Sequence, residues 1–305
     1  MPTNHILLVK PAHFTFNAET AGSNAFQNIL NEKEDIIKTK VLTEFENAVA
    51  VIKAKGIDAI VVEDTPDPVK PDAIFPNNWV SFHSDGTVIL YPMYAPNRRE
   101  ERRMDVLEML KKKFRIDQVI DLSKYEAEEL FLEGTGSIIF DHQNKVAYAC
   151  LSPRTDKELF EELCNYLKYK PVYFIAVDKK GKQIYHTNVM MCIAEKFVVI
   201  CLESIANKEE RTKVIQSFEE TGHAIVDISF EQMNNFAGNM LEVKDDKGKH
   251  LLVMSKSAYD SLTDVQKVQI EAYAEPLPLS IKTIETIGGG SARCMIAEVF
   301  LPLNN

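Results

Sequence analysis

Short β-branched runs alternate with stretches of helical periodicity along the whole chain. Ile6 to Val9, Ala59 to Val62, Thr87 to Tyr91, Ser137 to Phe140, Val146 to Cys150, Val198 to Leu202, His250 to Met254 and Ala297 to Phe300 read as strands. Thr43 to Lys55, Arg99 to Phe114, Asp156 to Leu167, Lys208 to Thr221 and Thr263 to Ala272 read as helices. In the last of these, Thr263 is placed to cap the first turn, with Gln266 three residues on completing a capping box. The alternation predicts an α/β fold. Strand, helix and strand recur at a spacing of roughly 50 to 60 residues, a period that fits a radial repeat. No Gly/Ser/Pro-rich linker interrupts the pattern, so one domain spanning residues 1–305 is expected. The proline-rich piece from Thr65 to Pro76 reads as a loop leading into a site.

Composition narrows the function. A 45% hydrophobic content over 305 residues supplies a packed core and excludes disorder. A net charge of -10 argues against nucleic acid, which needs a basic surface, and leaves a small molecule as the expected partner. No apolar run approaches the roughly 20 residues that span a bilayer, so no membrane role is expected. Five cysteines, an odd number without a CxxC pair, and an N-terminus unlike a signal peptide suggest a reduced, cytoplasmic protein. Homo-oligomerisation is left open.

Candidate chemistry concentrates where glycines flank reactive groups. Gly288-Gly289-Gly290-Ser291-Ala292-Arg293-Cys294-Met295 puts a thiol straight after a glycine-rich turn, where backbone can approach a ligand closely; a small hydrophobe in a turn is the plainer alternative. Thiolate catalysis needs an acid or base, commonly histidine, and a group that orients it. Of seven histidines, His186 stands out in Tyr185-His186-Thr187-Asn188, a polar stretch just before an apolar strand, although a half-exposed surface histidine would look the same. Glu133 lies in a second glycine-flanked bend, Leu132-Glu133-Gly134-Thr135-Gly136-Ser137. Asp72-Ala73-Ile74-Phe75-Pro76-Asn77-Asn78-Trp79 sets paired amides beside the only tryptophan. No HExxH or comparable cluster exists, so neither metal nor other cofactor is expected.

Together these segments resemble the guanidino-group modifying enzymes, which include arginine deiminase, dimethylarginine dimethylaminohydrolase and glycine amidinotransferase. The family's nucleophile segment ends in Arg-Cys-Met, here Arg293-Cys294-Met295. Its His-x-Asp is matched by His186-Thr187-Asn188, and its Glu-Gly-Gly-Asp by Glu133-Gly134-Thr135-Gly136. The Asp-x-x-Phe-x-Glu-Asp of the dimethylarginine enzymes is matched by Asp72, Phe75, Asn77 and Asn78. Their Ala-Pro-Ser-Arg-Arg and Leu-Ser-x-Arg-Thr are matched by Ala95 to Arg99 and Leu151 to Thr155. The resemblance implies a five-bladed α/β propeller (pentein) of pseudo-repeated ββαβ units. It implies Cys294 as nucleophile, His186 as acid and base, and Glu133 as the group that holds the substrate nitrogens. Asp72, Asn77, Asn78, Asn188 and Gly289 then fall at substrate-binding positions, and Arg99 and Arg154 look like clamps for a carboxylate. The other four cysteines are expected to be structural.

The departures from the family pattern point to the substrate. Asn78, Asn188 and Gly136 stand where deiminases carry aspartates that grip a cationic guanidinium. An amide both donates and accepts, which suits a neutral ureido group better than paired carboxylates do. Citrulline, released as ornithine, ammonia and carbon dioxide through an intermediate on Cys294, is the expected substrate. Arginine dihydrolase chemistry is adjacent, and deiminase or amidinotransferase chemistry fits the same motifs. A non-catalytic binding protein of this fold would be expected to lose one of Cys294, His186 or Glu133, and all three are present.

Overall fold

The computed structural model describes residues 2–304. Its fifteen strands form five three-stranded sheets, each built the same way. In sequence order the strands are β1 (His5–Lys10), β2 (Asp58–Glu63), β3 (Val80–Phe82), β4 (Thr87–Leu90), β5 (Gln118–Asp121), β6 (Ile138–Asp141), β7 (Val146–Cys150) and β8 (Lys170–Phe174). They continue as β9 (Met191–Ile193), β10 (Phe197–Ile200), β11 (Ala224–Asp227), β12 (Leu241–Lys244), β13 (His250–Ser255), β14 (Glu275–Leu279) and β15 (Ala297–Glu298). The sheet orders are 15-1-2, 3-4-5, 6-7-8, 9-10-11 and 12-13-14. In each, the middle strand is antiparallel to the first and parallel to the third.

A parallel step needs a crossover, and here a helix provides it every time. The helices are Glu34–Ala54, Met104–Leu110, Lys157–Leu167, Lys208–Thr221 and the pair Lys256–Ser261 and Asp264–Glu271. Five ββαβ blades result, the C-terminal strand β15 completing the blade that β1 begins. The first strand of each blade faces the ring's interior: β15 lies against β3, β6 against β9, and β9 against β12. The buried core is shared across blade boundaries. Ile6 and Leu8 of β1 pack with Val243 and Val253 of the last blade, and Leu7 packs with Val80 and Val88 of the next. Such sharing of apolar surface is what closes a ring of small sheets. No helix among the described residues is long and apolar enough to cross a membrane.

Several boundaries move relative to the sequence reading. The helix expected over Arg99 to Phe114 is two helices, Pro96–Arg99 and Met104–Leu110, because the chain between them turns to bury Arg98 and Glu101 as a pair. The helix expected from Thr43 begins at Glu34, its first two turns being largely exposed and without an amphipathic face. Of Ala297 to Phe300, only Ala297–Glu298 forms a strand, Val299 adding a single bridge to Phe82. The Thr263 capping box is present, with Thr263 accepting from the Gln266 backbone and the Gln266 side chain accepting in return.

Candidate active site

Each blade sends one loop to the same place, the loop that runs into its first strand. Asn77 and Asn78 precede β3, Glu133 precedes β6, His186 and Asn188 precede β9, Asn239 precedes β12 and Cys294 precedes β15. Glycines make these bends possible. Gly134 has φ +47°, and a methyl group on it would sit 2.2 Å from the Asn77 carbonyl oxygen. Gly289 ends the helix Lys282–Gly288 at φ +62°, its N–H donating to Glu285 O, and a methyl group on Gly288 or Gly290 would lie 2.7 or 2.9 Å from the Phe75 ring. Ser291 then anchors the turn by donating to Glu285 Oε1 at 2.7 Å, and Cys294 N–H closes it on Ser291 O.

Cys294, His186, Asp72, Asn78, Arg98, Arg154, Tyr185 and Gly289 line one pocket with Asn24, Phe75, Gly288 and Gly290. Glu133 lies fully buried behind His186, its Oε2 2.7 Å from His186 Nε2. Burial alone would raise the Glu133 carboxyl, but Arg154, His186 and Arg98 outweigh it and hold it well below the usual carboxylate range. Burial pushes His186 down to about 4 against the pull of Glu133. The resting pair is therefore carboxylate and neutral imidazole. A carboxylate only accepts, so Nε2 carries the proton and Nδ1 is the open lone pair. Two amides converge on the nucleophile position, Asn188 Nδ2 and Asn239 Nδ2 each 3.3 Å from Cys294 Sγ.

The Asn78 amide has a fixed orientation. Arg98 Nη1 donates to its Oδ1 at 3.0 Å, which leaves Nδ2, buried and without a protein partner, as the donor on the pocket side. Arg98 is held in turn by Glu101, through Nε at 2.9 Å and Nη2 at 2.8 Å. Gly136 ends the Glu133-Gly134-Thr135-Gly136 bend against the site. A methyl group there would come within 2.3 Å of Asn78 Nδ2 and 2.8 Å of the His186 ring, so the two side chains occupy the space an aspartate would fill.

Arg99 is the sequence candidate the structure leaves outside. Its Nε donates to Met93 O and pairs with Glu126, away from the pocket, and the neighbouring Arg98 is the one that enters. Asn77 is buried beside the pocket, where its carbonyl accepts from Thr135. Arg154 lines the pocket, yet its Nε and Nη2 reach Ser23 Oγ, its Nη2 reaches Thr20 O, and its Nη1 reaches Glu133. The segment from Asn17 to Asn24 thus covers the site. Asn17 donates to Asp72 Oδ2 at 2.7 Å and Asn24 to Gly288 O at 3.2 Å. Asn239 was also missed, although Phe236-Ala237-Gly238-Asn239 repeats the pattern of a polar group beside a glycine in an apolar run.

A family model described as N,N dimethylarginine dimethylhydrolase, eukaryotic, matches residues 10–301. The chain belongs to that family. It is accordingly an enzyme of the guanidino-modifying pentein superfamily, a hydrolase of carbon–nitrogen bonds. No curated protein sequence matches it. Among solved structures it is similar to the N-terminal domain of ArgZ, an arginine dihydrolase from the ornithine-ammonia cycle in Cyanobacteria. That structure, a cysteine-to-serine mutant bound to substrate, has 17% identity and a TM-score of 0.75, with 98% of each chain covered. Full-length ArgZ gives the same identity and score, but the chain spans only 41% of it. A dimethylarginine dimethylaminohydrolase (DDAH) from Pseudomonas aeruginosa, a cysteine-to-serine mutant complexed with citrulline, has 16% identity and a TM-score of 0.68 over 98% of this chain and 99% of its own. At these identities the likeness is one of fold, and it supports the five-bladed reading.

Proposed function

We propose that this enzyme hydrolyses the ureido group of citrulline, giving ornithine, ammonia and carbon dioxide, with Cys294, His186 and Glu133 as its catalytic residues. The observation that carries the reading is the locked Asn78 amide. Arg98 takes the amide oxygen, so the pocket meets an N–H donor. A ureido carbonyl accepts from that donor, whereas every nitrogen of a guanidinium presents N–H and would leave the buried Asn78 donor unsatisfied. Asn188 complements it. With Nδ2 turned to Cys294, its Oδ1 is buried without a partner, an acceptor for the ureido NH2.

In this reading Cys294 Sγ attacks the ureido carbon, and neutral His186 takes the thiol proton and passes it to the nitrogen that leaves as the carbon–nitrogen bond breaks. The same imidazole then deprotonates water, which cleaves the sulfur–carbon bond, and the carbamate formed breaks down to carbon dioxide and amine. Glu133 keeps the His186 tautomer and orientation. Arg154 receives the substrate carboxylate once Ser23 gives way, and Asp72, with Oδ1 free, receives the α-ammonium. A second reading, an arginine dihydrolase, is favoured by that same free Asp72 oxygen, an acceptor a guanidinium could also use.

Incubation of the purified chain with citrulline, arginine and dimethylarginine separately, with Cys294→Ser as control, decides between them. Ornithine from citrulline and nothing from arginine is the expected result. Ornithine from both makes the enzyme a dihydrolase, and citrulline accumulating from arginine overturns the argument from Asn78.

A further inference from the structure

We propose that Asn239 is a catalytic residue, the fifth blade's contribution to the site, which with Asn188 holds the negative charge of the Cys294 sulfur. The inference deepens the reading of Cys294 as nucleophile and rests on it. Each of the other blades places a chemistry-bearing side chain in the loop before its first strand, and Asn239 occupies that place before β12. Its side chain is buried and committed at both ends. Oδ1 accepts from Arg293 N–H at 3.0 Å, while Nδ2 reaches Asn188 O at 2.8 Å and Cys294 Sγ at 3.3 Å. Because Oδ1 is taken by a backbone donor, the amide cannot turn over, and N–H is what it shows the sulfur.

The backbone is shaped to this end. Phe236 adopts φ +63°, a left-handed conformation unusual outside glycine, and a methyl group on Gly238 would lie 2.6 Å from Val189 O. These two features press the loop against the turn Thr187–Met190, which carries Asn188. Asp72, Glu133, His186, Arg98, Arg154 and Tyr185 are the charged and titratable groups around the same pocket. None of them hydrogen-bonds the sulfur; the two asparagine amides do. Two N–H dipoles aimed at a buried sulfur are preorganised for charge, as in an oxyanion hole.

The test follows iodoacetamide alkylation of the Cys294 peptide by mass spectrometry across pH, which needs no substrate. Asn239→Asp keeps the size and the bond from Arg293 N–H but replaces the donor with an acceptor; Asn239→Ala removes both, and thermal melts report folding. Slowing of about tenfold or more at neutral pH, with the alkaline limiting rate retained, is expected for each. An unchanged rate in either folded variant overturns the proposal. So does equal slowing at every pH, which assigns Asn239 to access alone. If Asn239→Ala does not fold, the isosteric Asn239→Asp carries the decision. Turnover of a different substrate leaves this result standing, whereas a Cys294 inert in the wild-type enzyme at all pH values refutes the nucleophile reading itself.

Discussion

The choice between ureido and guanidinium chemistry comes down to which end of one amide faces the pocket. Asn78 is fixed by Arg98, and Arg98 by Glu101, so a buried ion pair outside the reacting groups sets the polarity the substrate meets. Asn78→Asp replaces the free donor with an acceptor while leaving Arg98 a partner. The variant is expected to lose roughly ten- to a hundredfold in kcat/KM on citrulline, the cost of leaving the buried ureido carbonyl facing an acceptor, and to gain in binding of arginine. Steady-state kinetics on both substrates checks this, and an unchanged preference would sink it. Gly136→Ala probes the same spot by volume. Its methyl group would meet Asn78 Nδ2 at 2.3 Å and the His186 ring at 2.8 Å, so both must shift. Displacement of reacting groups on that scale costs about a hundredfold in kcat. The thermal midpoint should fall little, because the turn around Gly136 keeps its backbone bonds to Glu133.

At the scale of elements, the middle strands and the long helices were readable because each is an apolar run or an amphipathic face. The strands that were missed are short or sit at blade edges. β5 and β11 are largely exposed, and β14 carries Pro276 and Pro278, which an edge strand tolerates because it need not donate on both sides. Glycine-flanked polar residues marked Glu133 and Cys294, whose bends need glycine to form. Nothing in the letters separates Arg98 from Arg99: successive residues of a helical turn point about 100° apart, so only the phase of Pro96–Arg99 decides which guanidinium enters. Asn239 escaped because the loop holding it has meaning only against the turn of another blade. Gly238→Ala tests that packing. Its methyl group would lie 2.6 Å from Val189 O and 2.7 Å from Met190 C, backbone atoms that cannot swing aside. A loss of about 1–3 kcal/mol in unfolding free energy is expected, read by denaturant titration, together with reduced turnover.

Across the whole molecule the ring has two unlike ends. The loops entering the inner strands carry the site, whereas the residues leaving β3, β6 and β15 are His83, His142 and Phe300, which pack together with Phe140 and Tyr169. Burial pushes His83 down to about 4 and His142 well below its ordinary value, as it does His186 at the other end. These imidazoles are neutral when folded and free to protonate when unfolded, so between about pH 6.5 and 4 the unfolded state binds more protons. Their contribution is fully present above about 6.5 and is lost as pH falls toward 4. Glu101 works the other way: burial raises it to about 7 against the pull of Arg98, which offsets roughly one histidine's share. The net expectation is a thermal midpoint that drops on acidification through this window. His83→Asn isolates one contribution, since it keeps a polar partner for Ser81 and lies away from the pocket lined by Cys294. The variant should lose less stability than the parent between pH 7 and pH 4, by up to about 3 kcal/mol, with turnover unchanged. Parallel pH dependences for the two proteins would mean that His83 protonates as readily in the folded chain as in the unfolded one and that the cluster at this end tolerates the charge.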